Sequence, residues 1–512
     1  MKNQKLENSL KQIAKTSFIA FLFILSSKVF TYLYRIIIAR QFGPEIYGLF
    51  SLAIMISGWF IAIFSFGIPE GITRFVSLFR GKKETRKTSY LLQVSIIFLF
   101  ISGLISALIL FFLSSPISIR LFNNYDLIVF LRWFSISIPI ALFASIFLSV
   151  LVSFEKTNKF SFARNFLDTS TKLVFILIFT FLGLRINSII FSYILGILAM
   201  LIFSYYSSKP LLSGIFKNQE ISPKLKKKIR KNLFSYSWPL MFVGIISFIF
   251  SWIDSFMIGY FNIEGKGVYN VGIYNSAVPI AALLIIAPSL FIQLFFPLIT
   301  KEYAQKNNNL IKEISKQITK WIFLLNLPVL IIMFLFPGAL INLFFGKDYI
   351  NAAFSLRFLA LGIFFYSIFI ISENLISMAG KSKIVLFDIL LASLINIILN
   401  IFLVPKYNIN GAAFSTMVTY IIWSLISLLQ ARHYVSIIPL KRKMFFILLI
   451  SAIPTLLLVF IKQFIPITLF SLIIQGSLFF LFYFFLVIYS CLDRNDWMIL
   501  RAIRNKIKNR GL

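Results

Sequence analysis

An all-helical membrane protein of about fourteen transmembrane helices is the fold class that three features of the sequence predict. Mean hydropathy is +0.91 and only 13% of the residues are charged, too few polar groups to cover a soluble domain of 512 residues. The apolar residues come in runs of about twenty, the length that crosses a hydrocarbon core roughly 30 Å thick at 1.5 Å per residue. Clusters of lysine and arginine separate the runs. Helix-length runs, rather than alternating ten-residue strands, argue against a β-barrel.

Taken in order, spans 1 to 6 are expected at about 16–39, 47–67, 90–113, 128–152, 162–183 and 186–206. Spans 7 to 12 follow at 234–259, 271–299, 321–344, 355–378, 384–404 and 410–431, and spans 13 and 14 at 444–461 and 465–490. With residue 1 in the cytoplasm, every second gap collects cations, 38 in all, against nine on the opposite side. That asymmetry is the positive-inside pattern and predicts a multi-pass plasma-membrane protein with both termini cytoplasmic. The net charge of +33 is therefore explained by loops facing anionic lipid, and nucleic acid is not expected as a partner. The basic segment from Met1 to Lys15 leads into a full-length span without a small-residue cleavage site, which reads as a retained first helix. One cysteine, Cys491, and one histidine, His433, supply neither a disulfide framework nor a His/Cys metal site, and no cofactor is expected.

The two halves repeat. Gly48-Leu-Phe-Ser-Leu-Ala53 matches Gly272-Ile-Tyr-Asn-Ser-Ala277 at an offset of 224, and Leu131-Arg132-Trp133 matches Leu356-Arg357-Phe358 at 225. Asn158-Lys159 matches Ser382-Lys383 at 224, and Ile186-Asn187 with Phe191-Ser192 matches Ile409-Asn410 with Phe414-Ser415 at 223. A unit of six helices is even, so both copies enter from one side, as in transporters whose substrate site lies between two parallel lobes. The expected organisation is an N-lobe over 1–208, a basic linker over 209–233, a C-lobe over 234–432, and helices 13 and 14 with a basic tail over 433–512.

Several segments carry a family likeness: Ala39-Arg-Gln-Phe-Gly-Pro-Glu-Ile-Tyr-Gly48 onward; Ser237-Trp-Pro-Leu240 with Ser251-Trp-Ile-Asp254 and Val271-Gly-Ile-Tyr-Asn275; Phe345-Gly-Lys-Asp-Tyr349 with Leu356-Arg-Phe-Leu359; and Gly380-Lys-Ser-Lys383 with Leu403-Val-Pro405 and Asn410-Gly-Ala-Ala413. Together they resemble the polysaccharide transporter branch of the multidrug/oligosaccharidyl-lipid/polysaccharide exporter superfamily, which includes O-antigen and lipid II flippases. The resemblance implies two six-helix lobes in a V around a central cavity, and movement of a polyprenyl-pyrophosphate-linked saccharide to the outer leaflet. The lipid II branch has a more arginine-rich first helix, which makes a peptidoglycan precursor the less favoured cargo.

Charges inside the spans are the candidate site residues, since a Lys, Arg or Asp at the bilayer centre costs roughly 2.5–3.5 kcal/mol on insertion scales. Lys28 and Arg35 lie seven residues apart on span 1, within about 20° of one face, a pairing suited to pyrophosphate. The bland alternative pairs Lys28 with a carboxylate elsewhere and lets Arg35 snorkel. Arg164, Asp168 and Lys172 on span 5 are spaced i, i+4, i+8, a self-neutralising ladder whose deepest member, Lys172, is the best cavity candidate. Asp254, Glu373 and Asp388 could pair with first-lobe cations or, like Asp168, bind a coupling Na⁺ or H⁺, although Asp388 has Lys381 and Lys383 close by. Glu70 and Arg74, where Pro69 ends span 2, most simply pair with each other. Pro279, Pro288 and Pro297 recur every nine residues in span 8 and predict a bent, gate-like helix.

The expected function is a flippase for a lipid-linked oligosaccharide, working as a monomer among membrane lipids. A multidrug/cation antiporter would need an acidic cavity, which the cations of span 1 oppose. An enzyme would need catalytic groups in an outer loop, and the outer gaps are short and hold only Glu45, Asp126, Glu264 and Asp348.

Overall fold

The computed structural model describes residues 2–213, 221–305, 307–464, 468–491 and 496, with side chains from residue 22. Eleven helical stretches among them are long and apolar enough to cross a membrane. Two of the eleven, α1 (Lys2–Phe64) and α14 (Ser382–Val435), each hold two of the expected spans joined at a kink. Span 5 is split between α5 (Thr157–Ser161), a π-helical turn Phe162–Leu167 and α6 (Asp168–Phe181). With these, the fourteen expected spans are all present, and no strand occurs among the described residues.

The breaks follow from local chemistry. In α1 the kink falls at Gly43, whose φ of 81° is open to glycine and strained for other residues, and Pro44 next to it cannot donate backward. In α14 the break is at Asn408, φ 51°. After α1, Gly67 in the left-handed region turns the chain into α2 (Ile68–Gly81). Pro69 therefore opens a new amphipathic helix rather than ending span 2, because a first-turn proline has no lost hydrogen bond. Burial of Ile68, Gly71, Ile72 and Val76 gives α2 its inner face.

The chain packs as two compact units, Met1–Pro279 with Ile389–Ser415, and Ile280–Asp388 with Thr416–Leu512. In the first, α1 packs on α3 (Thr85–Pro116), α4 (Asp126–Ser153), α6 and α8 (Pro223–Phe261), while α7 (Asn187–Leu212) lies on α4 and α6. Its interior mixes Tyr47, Phe50, Phe130 and Phe134 with fully buried serines such as Ser57, Ser95 and Ser137. Those hydroxyls return to the helix that carries them, for example Ser95 to the Leu91 carbonyl at 2.8 Å, so small side chains bring helices close without leaving polar groups open.

The repeat is visible in this unit as a contact. A Cβ on Gly48 would run into the Val268 carbonyl, and one on Gly272, in α9 (Gly267–Ala281), would run into the Pro44 carbonyl. Val268 and Pro44 are themselves 224 residues apart, like Gly48 and Gly272. Each copy thus touches the other through the same surface, the reciprocity that a local two-fold relation demands.

The second unit is organised on α11 (Asn308–Leu335), against which α10 (Ile286–Ala304), α13 (Ala353–Met378) and α15 (Lys443–Phe464) pack. Ile311, Ile318, Ile322, Ile371 and Leu375 form one core cluster. A second joins Phe336 to Leu458 of α15 and to Leu472 and Phe479 of α16 (Leu469–Cys491), which attaches the last two spans to this unit.

At three prolines inside the spans, the carbonyl four residues back loses its helical donor and accepts from a side chain of another helix. Pro288 frees the Leu284 carbonyl, which accepts from Asn326 Nδ2 at 2.7 Å. Pro328 frees that of Leu324, which accepts from the Tyr483 hydroxyl at 3.0 Å. Pro279 frees that of Asn275, which accepts from the Tyr47 hydroxyl at 3.1 Å. Span 8 leaves regular α-helix between its prolines: a 3₁₀ turn, Ala282–Ile285, separates α9 from α10. Pro297 lies in α10, and its side chain is outside the described ones.

Candidate functional site

The first limb of α1 is continuous through Lys28 and Arg35, so seven residues set their Cα atoms about 10 Å apart along one face. Lys28 is exposed and Arg35 half-buried. The Arg35 guanidinium lies 5.9 Å from the centroid of the Trp252 ring on α8, a cation–π contact that orients the fork without neutralising it. Its charge also reaches Tyr47 and Tyr193. Among the described residues no carboxylate pairs with Lys28 or Arg35.

Lys172 is placed differently. Its ammonium lies 2.8 Å from Asp168 Oδ2 and 4.4 Å over the ring of Tyr193, which stacks on Phe134 with centroids 4.5 Å apart. Gly196 on α7 leaves the room: a Cβ there would press on Lys172 Cγ and Cε and on the Asp168 carbonyl. The expected ladder is therefore half formed. Residues 162–167 are π-helical, with more than four residues per turn, so Arg164 drifts out of register with Asp168 and points to the surface. The Phe23–Phe162 and Phe30–Phe166 ring pairs, each 5.5 Å apart, hold that turn against α1.

Asp254, 9% exposed, accepts from the Tyr274 hydroxyl and, at 2.9 Å, from Asn400 Nδ2. Asn400 also donates to Asn396 Oδ1 at 3.0 Å, while its own Oδ1 is buried without a donor. Asparagines at 396 and 400, one turn apart within an apolar run, are a signal that composition alone obscures. In the second unit, Glu373 lies 3.5 Å from the Tyr366 hydroxyl, within an aromatic cluster of Tyr366, Tyr420 and Trp423. It is also within electrostatic reach of Asp388.

Two local pairings expected from spacing are replaced. Asp388, 2% exposed, takes Gln430 Nε2 at 2.7 Å, and Lys381 lies over the Tyr434 ring instead. Arg74 stacks 4.1 Å from the centroid of Tyr236 rather than on Glu70, because a flat guanidinium gains more on an aromatic face than from a solvated carboxylate. One charge cluster escaped the sequence reading altogether. Lys320, counted among the loop cations, is fully buried and paired with Asp496, which also receives Gln317 Nε2 and, at 2.8 Å, Trp321 Nε1. Lys441 joins through Gln317 Oε1 at 2.8 Å. Partners 176 residues apart leave no mark in local spacing.

Fourteen apolar helical spans, several carrying charged side chains, define a multi-pass membrane protein, and its relatives are transporters. The chain belongs to the polysaccharide biosynthesis protein family, whose profile matches residues 13–303, within the multidrug/oligosaccharidyl-lipid/polysaccharide exporter superfamily; the MatE profile matches 239–402. It is 26% identical over 400 residues to a putative O-antigen transporter of Shigella flexneri, covering 76% of this chain and 90% of that one. It is 21% identical to the lipid II flippase MurJ of Bacillus subtilis over 398 residues, 71% of this chain and 72% of that one. Among solved structures, the inward closed conformation of lipid II flippase MurJ superposes with a TM-score of 0.71 at 18% identity, covering 91% of this chain and 98% of that one. An inward-facing multidrug resistance MATE transporter gives 0.63 at 15%, covering 82% and 98%.

Proposed function

We propose that the protein is a flippase that carries a polyprenyl-(pyro)phosphate-linked oligosaccharide from the cytoplasmic to the outer leaflet of the cell membrane by alternating access. Both termini lie in the cytoplasm. The observation that carries the reading is the pair Lys28 and Arg35: two cations on one face of a membrane helix with no described carboxylate partner. A pyrophosphate offers the anionic oxygens they lack, and Arg35 can take it bidentately. Lys172, already neutralised by Asp168, would serve the saccharide side by hydrogen bonding. The lobes 1–208 and 234–432 rock about the head group, span 8 with Pro279, Pro288 and Pro297 gates, and helices 13 and 14 offer a path for the lipid tail. The O-antigen and lipid II relatives support a lipid-linked cargo, and a cation antiporter would leave the span 1 cations without a role.

The test is a complementation or vesicle-flipping assay on Lys28→Ala, Arg35→Ala and the double substitution, with membrane levels matched. The double variant should lose transport at least about a hundredfold, since two charge-assisted contacts are worth roughly 1.5–3 kcal/mol each. Wild-type transport by the double variant would remove the head-group role.

Energy coupling rests on Asp254. The undonated Asn400 Oδ1, beside the Asp254 carboxylate, is an oxygen that Na⁺ can use. Asp254→Asn keeps the side-chain size and removes the charge, so it should abolish any dependence of transport on a Na⁺ or H⁺ gradient. A variant whose transport still follows either gradient would exclude Asp254 as the coupling group.

A further inference from the structure

A groove of about 540 Å³ runs along α3 between the α1–α2 corner and the start of α8. Its wall is Val94, Ile97, Ile101 and Ile105 of α3. Its floor is aromatic, with Phe98 at 4.9 Å from Phe234 and 5.3 Å from Phe66. One end is charged: Arg230 and Tyr90 line it, and Lys226, one turn before Arg230 on α8, holds its ammonium 5.7 Å over the Tyr90 ring. Both cations are exposed, and among the described residues neither is paired with a carboxylate. The Ser102 hydroxyl is satisfied by the Phe64 carbonyl.

This is an amphiphile's shape, with a dicationic mouth leading into an apolar trough. From Tyr90 to Ile105 the helix rises about 22 Å, the depth of one leaflet with its interfacial layer rather than of the whole bilayer. We propose that the groove binds one anionic glycerophospholipid of the leaflet on the basic side, its phosphate between Lys226 and Arg230 and one acyl chain along α3. The charge selects the head group: two unopposed cations favour a net negative phospholipid over a zwitterion, as basic pockets between membrane helices generally do. The depth selects the tail, since a chain much longer than one leaflet would leave the trough. The site is independent of the span 1 cations and of the transport reading.

The test is native mass spectrometry of the full-length protein in detergent, titrated with palmitoyl-oleoyl phosphatidylglycerol or phosphatidylcholine. Wild-type protein should prefer phosphatidylglycerol about tenfold or more, from two basic groups worth about 1 kcal/mol each. Lys226→Gln with Arg230→Gln should bring the ratio close to one. Ile101→Trp, which fills the trough, should weaken both lipids. Lys82→Gln with Lys83→Gln, exposed on the α2–α3 turn outside the groove, should keep the preference. All four positions changed in charge are exposed, so unaltered thermal unfolding is expected and serves as the fold control. A wild-type ratio near one, a preference that survives the groove substitutions, or equal loss in the turn variant would each overturn the proposal.

Discussion

Replacing Asp496 by alanine is expected to destabilise the second unit by about 3–5 kcal/mol, the cost of leaving a buried ion without its partner. Lys320 has no exposed surface, and Asp496 is only 2% exposed. Removing the carboxylate strands an ammonium in the protein interior, together with the donors of Gln317 and Trp321 that converge on the same oxygens. The remedy is specific: Lys320→Met with Asp496→Leu removes both charges and should return most of the stability, since apolar replacement of a whole buried pair is often neutral. Denaturant unfolding in detergent, read on Lys320→Met, Asp496→Leu and the double, completes the cycle. Single variants no less stable than wild type would show that the pair does not tie Asp496 to α11.

Gly48→Val and Gly272→Val are expected to remove most folded protein. Each Cβ would overlap a backbone carbonyl of the opposite copy, at Val268 and Pro44, and main chain cannot swing aside as the end of a flexible side chain can. Overpacking commonly costs 1–3 kcal/mol where a side chain can move aside, and here the obstacle is main chain. Gly244→Ala in α8 is the control, because nothing lies within 4 Å of a Cβ there, and it should be close to neutral. Monodisperse yield after detergent extraction, with complementation at matched expression, measures both. Near-normal yield of Gly48→Val would mean that the two copies do not pack glycine to glycine.

Those two results depend on the sequence in different ways. The glycine contact was half legible, because the offset of 224 made Gly48 and Gly272 equivalents, but only packing turned equivalence into touch. Hydropathy likewise placed the fourteen spans, since the bilayer imposes a length and an apolar composition on every one. Proline spacing marked where span 8 leaves regular α-helix, a local steric effect that needs no partner. The partners of the freed carbonyls, Tyr47, Asn326 and Tyr483, were not legible, as any Tyr or Asn can donate and only the fold chooses which.

Side-chain pairing shows the same limit. The i, i+4 rule found Asp168 with Lys172, where the helix is regular, and failed for Arg164, where a π-helical turn changes the period. It also failed for Glu70 with Arg74 and for Asp388 with its neighbouring lysines, because Tyr236 and Gln430 arrive from elsewhere in the chain. By itself the sequence determined the class, the number and order of the spans, the repeat, and the presence of Lys28 and Arg35 on one face of the first helix. Those are consequences of solvent and of helical periodicity, which act over a few turns. The tertiary structure alone decided which charges are neutralised and which stay open. An ion pair is made by distance in space, and Lys320 with Asp496 shows how little distance along the chain has to say about it.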